Sequence, residues 1–287
     1  MNETVFNKEF FQKLELLSLN ITPTLTTGSS GSRKSKAKGM SVEFSDYKDY
    51  VAGDDFRRID WNAYGRFRKL YIKLFVEEKQ AIFRIFIDCS QSMSYGEHKK
   101  STSALQVAAA LSYISTKSLD KTFIHPINTL ESVPPISISS KNNFINCIDY
   151  LSSLDFNGKS SLYDEIRNFR FNGPGVSVII SDLFIQDDLD KILKYLRYNK
   201  QKVILIHTLC QEEMHPKIDG RLKLIDSETG LEKNIYITPT LLKQYKNSLD
   251  KYMKVIHNYC TKYESQYILF PSDSPIEKIF YDLGKFK

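Results

Sequence analysis

The chain has 287 residues, 41% of them hydrophobic, with 12 glycines and 9 prolines, which excludes a disordered or low-complexity protein and leaves room for a large core. Its 40 Lys and Arg against 34 Asp and Glu give a formal charge of +6. Arg33, Lys34, Lys36 and Lys38 place four of those charges in one loop, Gly28–Gly39, so the remainder is near neutral and a nucleic-acid-binding body is not expected.

No apolar run reaches the roughly 20 residues of a membrane span. The best candidate, Ala104–Ile114, is broken by Gln106. Met1 leads into Asn2, Glu3 and Thr4 rather than into a basic and then apolar leader. Cys89, Cys147, Cys210 and Cys260 lie far apart with no CxxC pair, a usage that suits reduced thiols. A cytoplasmic location is the expectation.

In chain order, Val5, Phe6, Phe10, Leu14 and Leu17 recur at helical spacing and predict an amphipathic helix over Val5–Leu19. The basic Gly/Ser loop follows. Residues 41–80 mix charge with aromatics, and strands are predicted at Val42–Phe44 and Leu70–Val76. Between them lies Gly53-Asp-Asp-Phe-Arg-Arg-Ile-Asp-Trp61. Here Asp54, Asp55 and Asp60 interleave with Arg57 and Arg58, a pattern that predicts Arg–carboxylate pairs holding an irregular turn. Trp61, the only tryptophan, is expected to pack against the sheet edge. A partner-docking surface is the alternative role for this block.

From Ala81 the rhythm changes. Apolar strands are predicted at Ala81–Ile87, Thr122–Ile127, Val176–Ser181, Lys202–Leu209 and Tyr267–Phe270. Helices are predicted at Ser101–Lys117, Lys141–Leu154, just after Ser161, and at Asp188–Tyr198, Leu241–Tyr263 and Ser274–Leu283. A hairpin of Arg221–Asp226 with Asn234–Thr238 interrupts the alternation. Strands alternating with helices imply a parallel sheet covered on both faces. The predicted organisation is therefore residues 1–80, a helix, basic loop and β-rich extension, followed by residues 81–287 as a doubly wound, mostly parallel α/β domain.

In such a domain, ligands bind beyond the carboxyl ends of the strands. The first apolar run delivers Asp88-Cys-Ser90-Gln-Ser92 there, a later one delivers Ser181-Asp182, and the loop Gly158-Lys-Ser160-Ser adds hydroxyls. An all-oxygen set of this kind suits a hard divalent cation, Mg²⁺ or Mn²⁺. Helix capping by the same Asp and Ser residues is the competing explanation.

Asp88-x-Ser90-x-Ser92, a hydroxyl in a Gly-initiated loop and a Ser-Asp after a later strand resemble the metal-ion-dependent adhesion site of von Willebrand factor A domains. The resemblance implies hydroxyl ligands from Ser90, Ser92 and Ser160, with Asp88 and Asp182 acting largely through bound waters. It also implies an open coordination position for an acidic group of a partner. Lys159 and Ser160 stand where that loop usually carries Gly and Thr. Upstream, Gly39-Met-Ser-Val-Glu43-Phe44, Tyr50, Gly53-Asp54-Asp55-x-Arg57-x-Ile59-Asp60-Trp61 and Leu70-Tyr-Ile-Lys73 resemble the bacterial domain of unknown function, family 58. That resemblance implies a von Willebrand A-like fold and an accessory or adaptor role beside MoxR-type AAA+ ATPases, with no established reaction.

Rival chemistries fare worse. Gly158-Lys159-Ser160 matches the tail of a P-loop, but Ser153 stands where that motif needs glycine. His207, Cys210, Glu213 and His215 fit no closed zinc spacing. An aspartyl phosphatase would need a second Asp where Ser90 stands, and no G-x-S-x-G elbow is present. The expectation is a non-enzymatic interaction module. A metal-dependent phosphoester hydrolase and a scaffold with an empty metal site remain the alternatives.

Overall fold

The computed structural model describes residues 5–20, 42–77, 81–117, 120–128, 133–140, 143–159, 162–184, 189–227 and 229–284. Ser160 and the basic loop Arg33–Lys38 lie outside the described residues. The chain divides into two compact units, Thr24–Gln80, and Met1–Pro23 together with Ala81–Lys287.

Helix α1 (Lys8–Asn20) buries Phe10 and Leu14. It starts three residues later than periodicity predicts because Asn7 caps it, its Oδ1 accepting from the Phe10 N–H at 2.8 Å. Gln106 Nε2 donates to the Val5 carbonyl at 2.9 Å, tying the N-terminal segment to the α/β unit.

In the smaller unit, β1 (Val42–Asp49) pairs antiparallel with β2 (Tyr71–Glu77). A 3-10 turn, Phe56–Arg58, and a short helix, α2 (Trp61–Phe67), connect them. Asp60 caps α2, its Oδ1 accepting from the N–H groups of Asn62 (2.9 Å) and Ala63 (3.2 Å). The expected Arg–carboxylate pairs do not form. Asp54 pairs with Lys48 at 3.0 Å, and Asp55 accepts from the Arg57 N–H at 3.1 Å. Nearer backbone and lysine donors satisfy these carboxylates, leaving Arg57 and Arg58 exposed with no carboxylate partner among the described residues. Trp61 is not packed away either. As the first residue of α2 it is 62% exposed, edge-on to Tyr64 at 6.2 Å, while Ala63 takes the buried position.

The larger unit begins with β3 (Ile82–Asp88), α3 (Lys100–Lys117) and β4 (Lys121–Ile127). Next come β5 (Ile136–Ile138), α4 (Phe144–Ser152), α5 (Leu162–Asn168), β6 (Gly175–Ser181) and α6 (Leu189–Tyr198). They are followed by β7 (Gln201–Leu209), α7 (Gln211–Met214) and the hairpin β8 (Gly220–Ile225) with β9 (Glu232–Ile237). Helix α8 (Pro239–Lys262), β10 (Gln266–Pro271) and α9 (Glu277–Gly284) complete it. The sheet order is β10-β7-β6-β3-β4-β5, parallel throughout except for β5 on β4. Counting only the strands of this sheet, and reading from the β5 edge, the order is 3-2-1-4-5-6, the doubly wound order. The expected fold class holds: a mostly parallel α/β sheet with a small antiparallel extension.

Central strands β3 and β6 are buried along nearly their whole length, as double coverage demands. Helix α3 is buried on almost every side. Its hydroxyls are satisfied internally, Ser112 Oγ donating to the Ala108 carbonyl at 2.8 Å.

Two histidines inside this unit are held neutral. Burial pushes His207 down to about 4, and its Nδ1 lies 2.8 Å from the Tyr267 hydroxyl. Burial, with the Arg84 guanidinium second, likewise takes His125 to about 4 where it stacks on Phe86. The unfolded chain protonates near 6.5 and the fold near 4, so stability is lost as pH falls through that window. The fully buried His207 carries up to about 3 kcal/mol of this effect, and the partly buried His125 less. Melting temperature should therefore fall more steeply from pH 6.5 to pH 4.5 in wild type than in His207→Gln. Equal slopes would contradict the assignment.

Candidate functional site

The chain leaves β3 toward β4 on one side of the sheet order and leaves β6 toward β7 on the other. The topological switch point thus lies at the carboxyl ends of β3 and β6, where a crevice opens. Asp88 ends β3, and Ser181 with Asp182 ends β6. All three are buried.

Asp88 Oδ1 accepts from the Ser90 N–H at 3.0 Å, and Oδ2 from Ser181 Oγ at 2.7 Å. The Ser181 hydroxyl accepts in turn from the Leu183 N–H at 2.9 Å. Leu183 holds a left-handed φ of 57°, and the Tyr252 hydroxyl donates to its carbonyl. A buried leucine in that region is strained. The bonds from Leu183 N–H to Ser181 and from Tyr252 to the Leu183 carbonyl hold the turn that presents Asp182 against that strain.

After Asp88 the chain enters a short 3-10 turn, Gln91–Ser94, which brings Ser90 Oγ and Ser92 Oγ to 3.0 Å of each other. The loop bearing Gly158 lies along this turn, with the Gln91 N–H donating to the Gly158 carbonyl at 2.8 Å. Lys159 follows it and is exposed. Ser160, the remaining predicted ligand, lies outside the described residues. Gly96, at φ +102°, lets the segment after the Gln91–Ser94 turn press on β7's end, since a Cβ there would lie 2.8 Å from Cys210 Cβ.

The ammonium of Lys100 is fully buried at the start of α3. It lies 2.8 Å from Asp182 Oδ2 and 2.5 Å from Glu213 Oε1. Burial opposes its charge, but Asp182 and Glu213 together outweigh that and hold it above its ordinary value. Glu213 is itself anchored, its Oε2 accepting from the Cys210 N–H at 2.9 Å. For Asp88, burial first, and then the Asp182 carboxylate, push its carboxyl upward.

A hard divalent cation fits this donor set on two grounds. Neighbouring ligands of an octahedron at about 2.1 Å from Mg²⁺ lie about 3 Å apart, which is the spacing of the two serine hydroxyls. Second, the Asp182 carboxylate lies close enough to disfavour the charge of Asp88, while the Lys100 ammonium is held by Asp182 and Glu213. Like charges buried side by side are costly, and a divalent cation between them would relieve that cost.

Other chemistries find less here. Burial drives the Cys89 and Cys210 thiols up to about 12, which leaves no thiolate nucleophile. The drawn zinc cluster is not assembled: His207 bonds to Tyr267, and among the described residues no three His, Cys, Asp or Glu side chains converge as a cage. Gly158 follows a helix rather than a strand, unlike a P-loop.

Sequence reasoning placed Asp88, Ser90, Ser92 and Asp182 at these strand ends, and the structure brings them to one crevice. It overlooked Lys100, used Ser181 as part of the Ser-Asp pattern without making it a site residue, and weighed Glu213 only in the rejected zinc cluster. The available signal was a lysine opening a helix that is otherwise almost uncharged through Thr116.

Solved structures of low similarity include the conserved hypothetical protein BatB from Bacteroides thetaiotaomicron, at 12% identity and TM-score 0.41, covering 71% of this chain and 98% of that one. An aerotolerance-related membrane protein from Bacteroides fragilis matches at 15% identity and TM-score 0.40, covering 72% and 100%. The von Willebrand A domain of SpRpn10 matches at 12% identity and TM-score 0.37, covering 72% and 93%. No curated protein matches the chain. Among the described residues no helix is long and apolar enough to cross a membrane. The model of the family described as "Protein of unknown function DUF58" matches residues 46–253, most of the chain, and the protein belongs to that family.

Proposed function

We propose that this protein is a non-enzymatic interaction module whose switch-point crevice holds a divalent cation and captures an acidic group of a protein partner. The observation that carries this reading is the buried Asp88 carboxylate beside Asp182, next to the paired hydroxyls of Ser90 and Ser92. Ser90 and Ser92, with Ser160 from the adjoining loop, would hold Mg²⁺ or Mn²⁺ directly. Asp88 and Asp182 would act mainly through water. When bound, the ion supplies an open coordination position that a carboxylate oxygen of the partner completes. Lys100 keeps Asp182 oriented, and Ser181 keeps Asp88 oriented.

The family resemblance points to a MoxR-type AAA+ ATPase as the partner and so to the cytoplasm. The test is capture of that ATPase by the immobilised protein. Retention in Mg²⁺ and release by EDTA support the reading. Capture that ignores both EDTA and Asp88→Asn would overturn it.

A second reading draws on Lys100. Its ammonium already neutralises part of the crevice, so the protein could be a scaffold in which this lysine is the only cation. That reading predicts no response to divalent metal. Phosphoester hydrolysis has less support, because Lys100 is engaged by two carboxylates and both thiols are protonated.

A further inference from the structure

The smaller unit carries binding chemistry that the cation site does not use. Tyr47, Tyr71 and Phe67 flank a cleft of about 620 Å³ between α2 and the hairpin, with Asp60 and Arg66 also lining it. Phe67 is 69% exposed. Asp60 is saturated: Oδ1 accepts from two backbone N–H groups, and Oδ2 accepts from the Tyr47 hydroxyl at 2.9 Å and faces Lys73 Nζ at 3.1 Å. The Tyr47 hydroxyl is the main cause holding its carboxyl down to about 2. Asp60 therefore has no lone pair directed at Arg66. Among the described residues Arg66 has no carboxylate partner, and neither have Arg57, Arg58 and Arg68. From Phe56 to Lys73 the chain carries six basic residues and one acid, Asp60.

We propose that this cleft binds an acidic segment of a protein partner, with a carboxylate paired to Arg66 between the rings of Phe67, Tyr47 and Tyr71. Guanidinium and carboxylate pair bidentately, and arginine with exposed tyrosine and tryptophan is the composition of interface hot spots. Charge complementarity selects the occupant. Residues 24–80 hold twelve basic and eight acidic side chains, but four of the basic ones are Arg33, Lys34, Lys36 and Lys38 of the basic loop. Residues 42–77, which carry the cleft, hold seven of each and offer no net attraction for a polyphosphate backbone. The local excess of guanidinium on α2 and its flanks instead matches discrete carboxylates. This site works without a cation and is independent of the crevice at Asp88.

The test uses the full chain in EDTA and a fluorescein-labelled Glu/Asp-rich peptide of about a dozen residues, read by anisotropy. Wild type should bind it, Arg66→Glu should weaken binding about tenfold or more, and Asp88→Asn should leave it unchanged. An unchanged far-UV circular dichroism spectrum and melting profile in Arg66→Glu shows that the protein is still folded. No binding in EDTA, equal binding by Arg66→Glu, or tighter binding of an oligonucleotide of the same charge would each overturn the proposal. Binding that appears only with Mg²⁺ and is lost in Asp88→Asn would also overturn it, assigning the peptide to the crevice.

Discussion

Replacing Lys100 by methionine should lower the melting temperature of the α/β unit by roughly 10 °C. The ammonium is fully buried and bonded to two carboxylates, one of them almost fully buried. Methionine fills similar volume but leaves Asp182 and Glu213 without a counter-charge. Breaking a buried pair from one side costs about 3–5 kcal/mol, and a unit of this size loses about 2–4 °C per kcal/mol. The Lys262–Asp190 pair has the same 2.8 Å separation but lies at the surface. Lys262→Met should leave melting nearly unchanged, because water screens that pair. Burial, not distance, decides between the two. Mg²⁺ should then stabilise Lys100→Met more than it stabilises wild type, since the emptied site leaves a larger negative excess. A drop of less than about 2 °C would contradict the assigned role.

Asp88→Asn should show the opposite pattern, with its sign set by the cation. In EDTA the wild-type carboxylate is buried beside Asp182 and accepts from the Ser90 N–H and the Ser181 hydroxyl. Asparagine keeps the shape and keeps an acceptor for the Ser90 N–H. It also removes a charge that the fold disfavours. The variant should then melt at or above wild type in EDTA. With Mg²⁺ present the order should reverse, because the amide gives the ion no negative charge. A single substitution that stabilises the apo protein and abolishes the response to metal is hard to produce by damage to packing.

The residues at the strand ends were legible in the sequence because the period of the pattern and the strand termini coincide. Ala81–Ile87 is an apolar run that stops at Asp88, and the sheet buries β3 up to that residue. Asp182 follows its strand in the same way. Helix α2 was hidden, since seven residues with aromatics and arginine have no clear period. Its one signal was Asp60 as a cap. Strand β5, three residues after Pro134-Pro135, is too short to stand out, and it pairs antiparallel at the sheet edge where little is buried. Trp61 misled because a lone tryptophan is usually packed; at the first position of a short helix it points outward. Lys100 was passed over for a different reason. Its place at the start of an uncharged helix is a weak signal with Lys99 beside it, and only the return of the chain at Asp182 and Glu213 makes its burial tolerable.

The claim that this crevice is a divalent-cation site is tested most directly by melting wild type and Asp88→Asn in EDTA and in millimolar MgCl₂. A ligand at 100 times its Kd stabilises by about 2.7 kcal/mol, which corresponds to roughly 5–10 °C for a unit of this size. Wild type should rise by that order in Mg²⁺ while Asp88→Asn stays where it melts in EDTA. No rise in wild type, or the same rise in both proteins, would contradict the account.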